Sequence, residues 1–204
     1  MQTAEENHKN SFNKRQLRRH IRSQRATLTN SQRLKAQINL AQQARRISQL
    51  WQSKRVLSYS PFEGEISPDS LIKKLPLSEL YLPKITSYRK AEMQFLSARS
   101  QLRANRFGII EPQSPRPVFA NQLDAILLPL VAFDKFGNRL GMGAGFYDRA
   151  LEKLIYQSST KPLLIGLGYS FQEVKSMPAQ PWDVPLDAIL TDENYIPISS
   201  DLKR

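Results

Sequence analysis

An α/β fold is what this sequence predicts: a single domain with a mainly parallel sheet flanked by helices and opened by an N-terminal helical pair. Segments with strand and helix patterns alternate along the chain. Two apolar runs, Ala125 to Val131 and Leu163 to Leu167, have the continuity of strands covered on both faces. Between them a glycine-rich segment, Gly141 to Gly145, leads into a helical pattern over Phe146 to Tyr156, as expected where a parallel strand passes the chain to its covering helix.

The elements follow in order. Leu17, Ile21 and Leu28 keep helical spacing through a basic stretch, and Thr29-Asn30-Ser31 offers caps for a second helix with Leu34, Ile38, Ala41, Ile47 and Trp51 along one side. Val56 to Tyr59 reads as the first strand. Ser67-Pro68-Asp69 supplies an N-cap, a first-turn proline and an acidic first turn for a helix ending near Leu75. Leu80 to Leu82 and Met93 to Leu96 are short strands, Pro129 marks a strand end or bulge because it has no N–H to donate, and Ala188 to Leu190 is the last strand. Residues 1–13 read as a polar, flexible extension, and residues 14–204 as one domain. Ligands in such sheets gather beyond the carboxyl ends of the strands, where Glu65, the glycine segment and Asp187 are expected.

Composition narrows the chemistry. With 204 residues, 40% of them hydrophobic, the chain can bury a sizeable core. It has no run of about 18 apolar residues and no hydrophobic segment behind its polar start, so neither a membrane span nor a secretory signal is expected, and the cytoplasm is the expected compartment. Cysteine is absent and only His8 and His20 carry imidazoles, which leaves no thiolate nucleophile, no Cys-based zinc site and almost no material for a Ser-His-Asp triad. Carboxylates, cations and a cofactor must do the work. The charge is concentrated: residues 1–55 hold thirteen Lys/Arg against two Glu, and residues 56–204 hold seventeen against sixteen acids. The run Lys14 to Arg25 is readable as a solvated helix face, as a clamp for nucleotide phosphates, or as an RNA footprint. No aromatic is interleaved among its cations, which speaks against a base-stacking platform.

Gly141, Gly143 and Gly145 alternate, so no Cβ bars an anion from the backbone there, and the helix that follows adds its positive dipole end. Arg139 just before the loop offers a cation for phosphate, and Asp148 just after it a carboxylate for a metal ion. A plain strand-to-helix connection remains the alternative. The loop is neither a Walker A, which ends in Gly-Lys-Ser/Thr, nor a Rossmann fingerprint, whose third glycine would stand at Phe146.

The longer stretch Phe133-Asp134 to Arg149 reads F-D-x-x-G-x-R-L-G-x-G-x-G-F-Y-D-R, which resembles the 5-formyltetrahydrofolate cyclo-ligase family. Four further blocks resemble that family in the same order. They are Lys14-Arg15-Gln16-Leu17-Arg18, Ser60 to Ile66, Asn105 to Pro112, and Trp182 to Thr191. The resemblance implies an enzyme that converts 5-formyltetrahydrofolate, with ATP and Mg²⁺, to 5,10-methenyltetrahydrofolate, ADP and phosphate. It implies phosphorylation of the formyl oxygen and attack by N10 on the activated carbon. Such catalysis is mostly positioning and charge neutralisation.

The family motifs also imply residue roles. Lys14 and Arg139 act as catalytic cations. Lys14, Arg18 and Arg139, with Gly141, Met142, Gly143, Ala144, Gly145, Phe146 and Tyr147, hold the ATP phosphates. Ser60, Phe62, Glu65, Phe107 and Phe146 contact the folate, Glu65 by accepting hydrogen bonds from the pterin, and Asp148 with Asp187 holds Mg²⁺. Met142 and Ala144 stand where some members carry a cation, and Phe146 where some carry tyrosine, so these side chains bring neither charge nor hydroxyl. Trp182-Asp183 also departs from the more usual polar approach to the last aspartate, which leaves Asp187 as the expected ligand. The expected partner is the folate, polyglutamylated or not, for a monomer that engages neither a specific nucleic acid nor a membrane. Two other readings stay open: an RNA-associated module built on the basic helices, and an ATP-independent α/β enzyme such as a sugar-phosphate isomerase or acyl-CoA transferase.

Overall fold

A computed structural model describes residues 13–157, 161–180 and 182–199. The expected extension up to residue 12 therefore lies outside the described residues, whereas Asn13 caps the first helix by accepting a hydrogen bond from the Gln16 N–H (3.0 Å). That helix, α1 (Lys14–Thr27), is followed by α2 (Asn30–Gln43). Thr29 and Gln32 form a reciprocal capping box: the Gln32 N–H donates to Thr29 Oγ1 (3.2 Å) and the Thr29 N–H to Gln32 Oε1 (2.8 Å).

Two expectations fail on the second helix. Leu34 and Ile38 are 53% and 40% exposed, and the face that packs on the sheet is instead Ala36, Leu40, Ala41 and Ala44. Alanines let the helix axis approach closely, yet they weigh little in a hydrophobic pattern dominated by Leu and Ile. The helix also stops short of Trp51. A 3₁₀ turn over Ala44–Arg46 separates it from α3 (Ser48–Gln52), and the Trp51 indole N–H donates to the Ala44 carbonyl (2.9 Å), a second donor beside the Ile47 N–H (3.0 Å).

The remaining elements are β1 (Arg55–Leu57), α4 (Asp69–Ile72), β2 (Glu79–Ser87), β3 (Glu92–Ser97), β4 (Leu102–Ala104), β5 (Ile110–Pro112), β6 (Pro117–Val118), β7 (Ala125–Pro129), β8 (Ala132–Phe133), β9 (Arg139–Leu140), α5 (Phe146–Gln157), β10 (Leu163–Leu167), β11 (Ala188–Leu190) and β12 (Tyr195–Pro197). The main sheet runs β12-β11-β10-β7-β1-β2-β3-β6. Its five central strands are parallel, and antiparallel strands close both edges. Pro129 is the last residue of β7, where its missing N–H costs nothing. The Ser67 hydroxyl accepts from the Asp69 N–H (3.2 Å), but α4 is a single turn that ends at Ile72.

Strand and helix do not alternate throughout: from Glu79 to Leu140 strand follows strand with no intervening α-helix. The strands missed there, β4, β5, β6, β8 and β9, have only two or three residues each, too few to show a period of two.

Successive residues of β7 bury on opposite faces. Ala125 and Leu127 meet Ala36, Leu40, Leu50 and Leu71 from α2, α3 and α4, while Ile126 and Leu128 join Leu57, Phe95, Leu151 and Ile189 on the side covered by α5. Helix α1 belongs to neither layer. Its Leu17 and Ile21 pack with Val131, Ala132, Leu140 and Met177 against the β8–β9 hairpin, so the first helix lies across the carboxyl end of the sheet.

Candidate active site

The carboxyl ends of β1, β2 and β7, the β8–β9 hairpin and α1 surround a cavity of about 740 Å³. Every expected site residue lines it except Asp187.

The hairpin positions the glycine loop. Asp134, fully buried, accepts hydrogen bonds from the N–H groups of Phe136 (3.0 Å), Asn138 (3.1 Å) and Met177 (2.8 Å) and from the Asn138 amide (3.0 Å). It locks the turn around Gly137, whose φ of +85° favours glycine, and so aims β9 and the loop after it. Gly143 and Gly145 also have positive φ, +107° and +71°, and α5 begins at Phe146. Arg18 lies over this loop: its Nε donates to the Gly141 carbonyl (2.8 Å), and a Cβ on Gly143 would come within 3.3 Å of its guanidinium carbon. Burial pushes the Arg18 guanidinium below its ordinary pKa. Lys14, one turn earlier on α1, lines the same cavity.

Arg139, nearly buried, pairs with Asp148 in the first turn of α5 and donates its other arm to the Val184 carbonyl. Asp183, beside Val184, lines the cavity and accepts from the Gln180 N–H (2.9 Å). The exposed Trp182 (61%) borders the same wall.

Asp187 stands elsewhere, and its expected partnership with Asp148 is corrected by the strand direction. It precedes β11, so it lies at the amino end of the parallel strands, where it lines a separate surface cavity. There its Oδ2 accepts from the Leu164 N–H (2.7 Å) and its own N–H donates to the Leu164 carbonyl (2.8 Å), a backbone staple between β10 and β11. The sequence already contained the sign, since a residue immediately before a parallel strand cannot lie beyond its carboxyl end.

On the far side of the cavity, the turn leaving β1 presents Ser60, Phe62 and Glu65. Ser60 Oγ donates to the Ile110 carbonyl (2.8 Å), tying this turn to β5. Glu65 Oε2 accepts from the Phe62 N–H (3.1 Å), yet burial raises its carboxyl from the ordinary 4.5 to about 7. Burial likewise raises the hydroxyls of Tyr59 and Tyr147, so both stay protonated donors at neutral pH.

Asn105 shapes the turn that exposes Phe107, its Oδ1 accepting from Phe107 N–H (2.9 Å) and Ile109 N–H (3.1 Å). Glu111, in the same sequence block, also lines the cavity, and its Oε1 accepts from Asn105 Nδ2 (2.8 Å) and the Ile85 N–H (3.2 Å). Tyr88 was not singled out by the sequence. It packs edge-on against Phe107 (5.4 Å between ring centroids) and Phe146 (6.1 Å), and Arg106 lies 4.0 Å above its ring. Ile85 and Met93 of the antiparallel extension complete the apolar wall.

Among the described residues no three His, Cys, Asp or Glu side chains gather as a metal cage. The donors facing the Arg139 end of the cavity, Asp148 and Asp183, suit a hard cation held by one or two carboxylates and otherwise by a ligand's own phosphates. No described helix is long and apolar enough to cross a membrane.

Comparison with known proteins points to one family. The model of the 5-formyltetrahydrofolate cyclo-ligase family matches residues 10–192. A 5-formyltetrahydrofolate cyclo-ligase of Haemophilus influenzae is 40% identical over 189 residues, covering 89% of this chain and 98% of the relative. The Escherichia coli protein of the same name is 34% identical over 189 residues, covering 84% and 96%. The solution structure of an Aquifex aeolicus 5,10-methenyltetrahydrofolate synthetase superposes with a TM-score of 0.76 at 31% identity, covering 92% of this chain and 93% of that one. A Mycoplasma pneumoniae 5,10-methenyltetrahydrofolate synthetase gives 0.69 at 28% identity, covering 89% and 100%.

Proposed function

The chain belongs to the 5-formyltetrahydrofolate cyclo-ligase family, and we propose that it converts 5-formyltetrahydrofolate to 5,10-methenyltetrahydrofolate at the expense of ATP, as a monomeric cytoplasmic enzyme. One observation supports this best: a single cavity has a cationic glycine loop on one wall and the half-buried Glu65 carboxyl among apolar and aromatic side chains on another. The first wall suits a polyphosphate and the second a flat heterocycle with N–H donors.

A formamide carbonyl is a weak electrophile whose oxygen leaves poorly. Transfer of the γ-phosphoryl group to that oxygen turns it into a leaving group. N10 then attacks the formyl carbon and closes the ring, and loss of the N10 proton and of phosphate leaves the amidinium. The chain contributes position and charge. The loop Gly141 to Tyr147 offers backbone N–H groups, with Met142, Ala144 and Phe146 serving through their backbone. Lys14, Arg18 and Arg139 neutralise phosphate oxygens, and Lys14 and Arg139 stay with the transferred group as it acquires charge. Glu65 accepts from the pterin, with Ser60, Phe62, Phe107 and Tyr88 around the folate. Asp148 and Asp183, rather than Asp187, are the carboxylates for Mg²⁺. Bound Mg²⁺ would neutralise charge on the phosphates and hold them in one geometry.

The test is direct. Purified protein given 5-formyltetrahydrofolate and MgATP should generate the methenyl chromophore with one ADP per turnover. Product formed without ATP would overturn the reading.

A further inference from the structure

Arg25 is the largest fully buried side chain among the described residues, 1% exposed, although it is a guanidinium in a run of otherwise accessible cations. Only Nη2 is engaged, donating to the carbonyl of Leu130 just beyond β7; Nε and Nη1 are buried and make no hydrogen bond. A guanidinium does not deprotonate in a protein, so its charge persists, and holding it in the interior requires a counter-charge. The acids that act on it are Glu65 first and then Glu63.

The turn carrying those acids rests on Arg25. Glu63 (φ +48°) and Gly64 (φ +74°) are both left-handed, and the Glu65 N–H donates to the Phe62 carbonyl (3.1 Å). A Cβ on Gly64 would lie 3.2 Å from Arg25 Cβ and 2.8 Å from Arg33 Nη1, so the turn presses directly on this end of α1. Arg22 pairs with Glu63 (2.5 Å), and Arg33 Nη2 donates to the Arg25 carbonyl (2.5 Å), fixing the helix end from which Arg25 reaches. Arg25 thus joins the turn after β1 to the exit of the neighbouring parallel strand β7, both of them walls of the cavity.

We propose that Arg25 is a positioning residue for substrate: it braces the 62–65 turn against Leu130 and, as a buried fixed charge, presents Glu65 as an anion to the N–H donors of the pterin. The proposal rests on the reading of Glu65 as the pterin acceptor. The groups facing Glu65 are Arg25, Glu63 and the hydroxyls of Tyr59 and Tyr147. Burial favours the neutral acid and Arg25 opposes it. A neutral carboxyl accepts fewer hydrogen bonds than a carboxylate, so losing the cation should cost folate binding mainly on the acid side of neutrality.

The test follows kcat/KM for 5-formyltetrahydrofolate against pH in wild type, Arg25→Gln, Arg25→Met, Arg25→Lys, Glu65→Gln and the double variant Arg25→Gln/Glu65→Gln. Removing the charge should move the acid limb upward by about one pH unit, while the KM for ATP stays within about twofold. Arg25→Lys should keep the limb and raise the folate KM. In the Glu65→Gln background, Arg25→Gln should change folate kcat/KM by less than about twofold. Losses equal at every pH, or a parallel rise in the ATP KM, would make Arg25 a structural residue and overturn the proposal. If neither neutral variant folds, Arg25→Lys decides, and an unchanged folate KM overturns it. A wild-type enzyme that makes no methenyl product removes the functional reading itself. An active wild type whose Arg25 variants keep the acid limb removes only this inference.

Discussion

The two ends of the parallel strands both carry carboxylates, in opposite circumstances. At the amino end, Asp124 Oδ2 accepts from the N–H groups of Lys54 (2.7 Å) and Arg55 (2.8 Å), and Asp187 Oδ2 from Leu164 (2.7 Å), so each acid staples one strand start to another. At the carboxyl end, Glu65 has one backbone donor and an environment that raises its carboxyl to about 7. Acids at the first end stabilise the sheet, whereas the acid at the second end is held at a cost to stability, as expected of groups kept for a ligand.

The largest expected effect that would break this contrast lies at the cavity. Lys14→Ala should lower kcat/KM for ATP by roughly 10²- to 10³-fold, the scale of losing one donor to developing charge, with little change in melting temperature. Steady-state kinetics at varied ATP checks it, and wild-type kinetics would remove Lys14 from the site.

The amino end should respond in the other way. Asp187→Ala should cost about 1–3 kcal/mol of stability by leaving a strand-start N–H without its acceptor, and leave the Mg²⁺ requirement unaltered. Asp148→Asn and Asp183→Asn should raise that requirement instead. Mg²⁺ titration of turnover beside thermal unfolding separates the two classes, and a raised requirement in Asp187→Ala would erase the distinction between the ends.

Glu65→Gln sharpens the comparison through pH. Between 4.5 and about 7 the folded chain holds a proton on Glu65 that the unfolded chain has released, so wild-type stability falls as pH rises through that window. The glutamine variant has no such loss. Its advantage should be small near pH 4.5 and grow to at most about 3 kcal/mol above 7, while folate kcat/KM falls. Unfolding curves at several pH values check the sign, and a glutamine variant less stable at high pH would reverse it.

The smallest expected effect concerns charge outside the cavity. Arg15 and Arg19 are exposed on α1, and replacing both with glutamine should change ATP kinetics by less than about twofold. A large loss would mean that the whole basic helix, and not the Lys14 and Arg18 positions, serves the nucleotide.

Much of this was legible in the residues. The buried runs at Ala125 and Leu163, the capped helices and the glycine loop each announce themselves by local rules that the tertiary structure leaves intact. The gathering of Lys14, Glu65 and Asp148 in one cavity was implied only by the resemblance to the family blocks. What was hidden depends on direction and distance. Asp183 and Asp187 both precede β11, and it is the direction of that strand, not the order of the motifs, that puts Asp187 at the amino end. Tyr88 lies in the turn between β2 and β3, outside the strand patterns and outside every family block, so nothing in its local sequence marks it for the cavity. Arg25 stands four residues after Ile21 and three before Leu28, on the apolar side of α1, but as one more cation in a basic run it reads as solvated, and the structure shows that it points inward.

The hydrogen bond from Arg18 to the Gly141 carbonyl joins residues 123 positions apart, and this has a consequence in time. At roughly 5–20 residues per second of synthesis, the cationic helix exists for about 6–25 seconds before the glycine loop that completes its site has been made. On the proposed function, nucleotide therefore cannot hold the early chain together. Ligand stabilisation begins only once residues beyond Asp148 are available to fold, so binding selects finished molecules over partial ones.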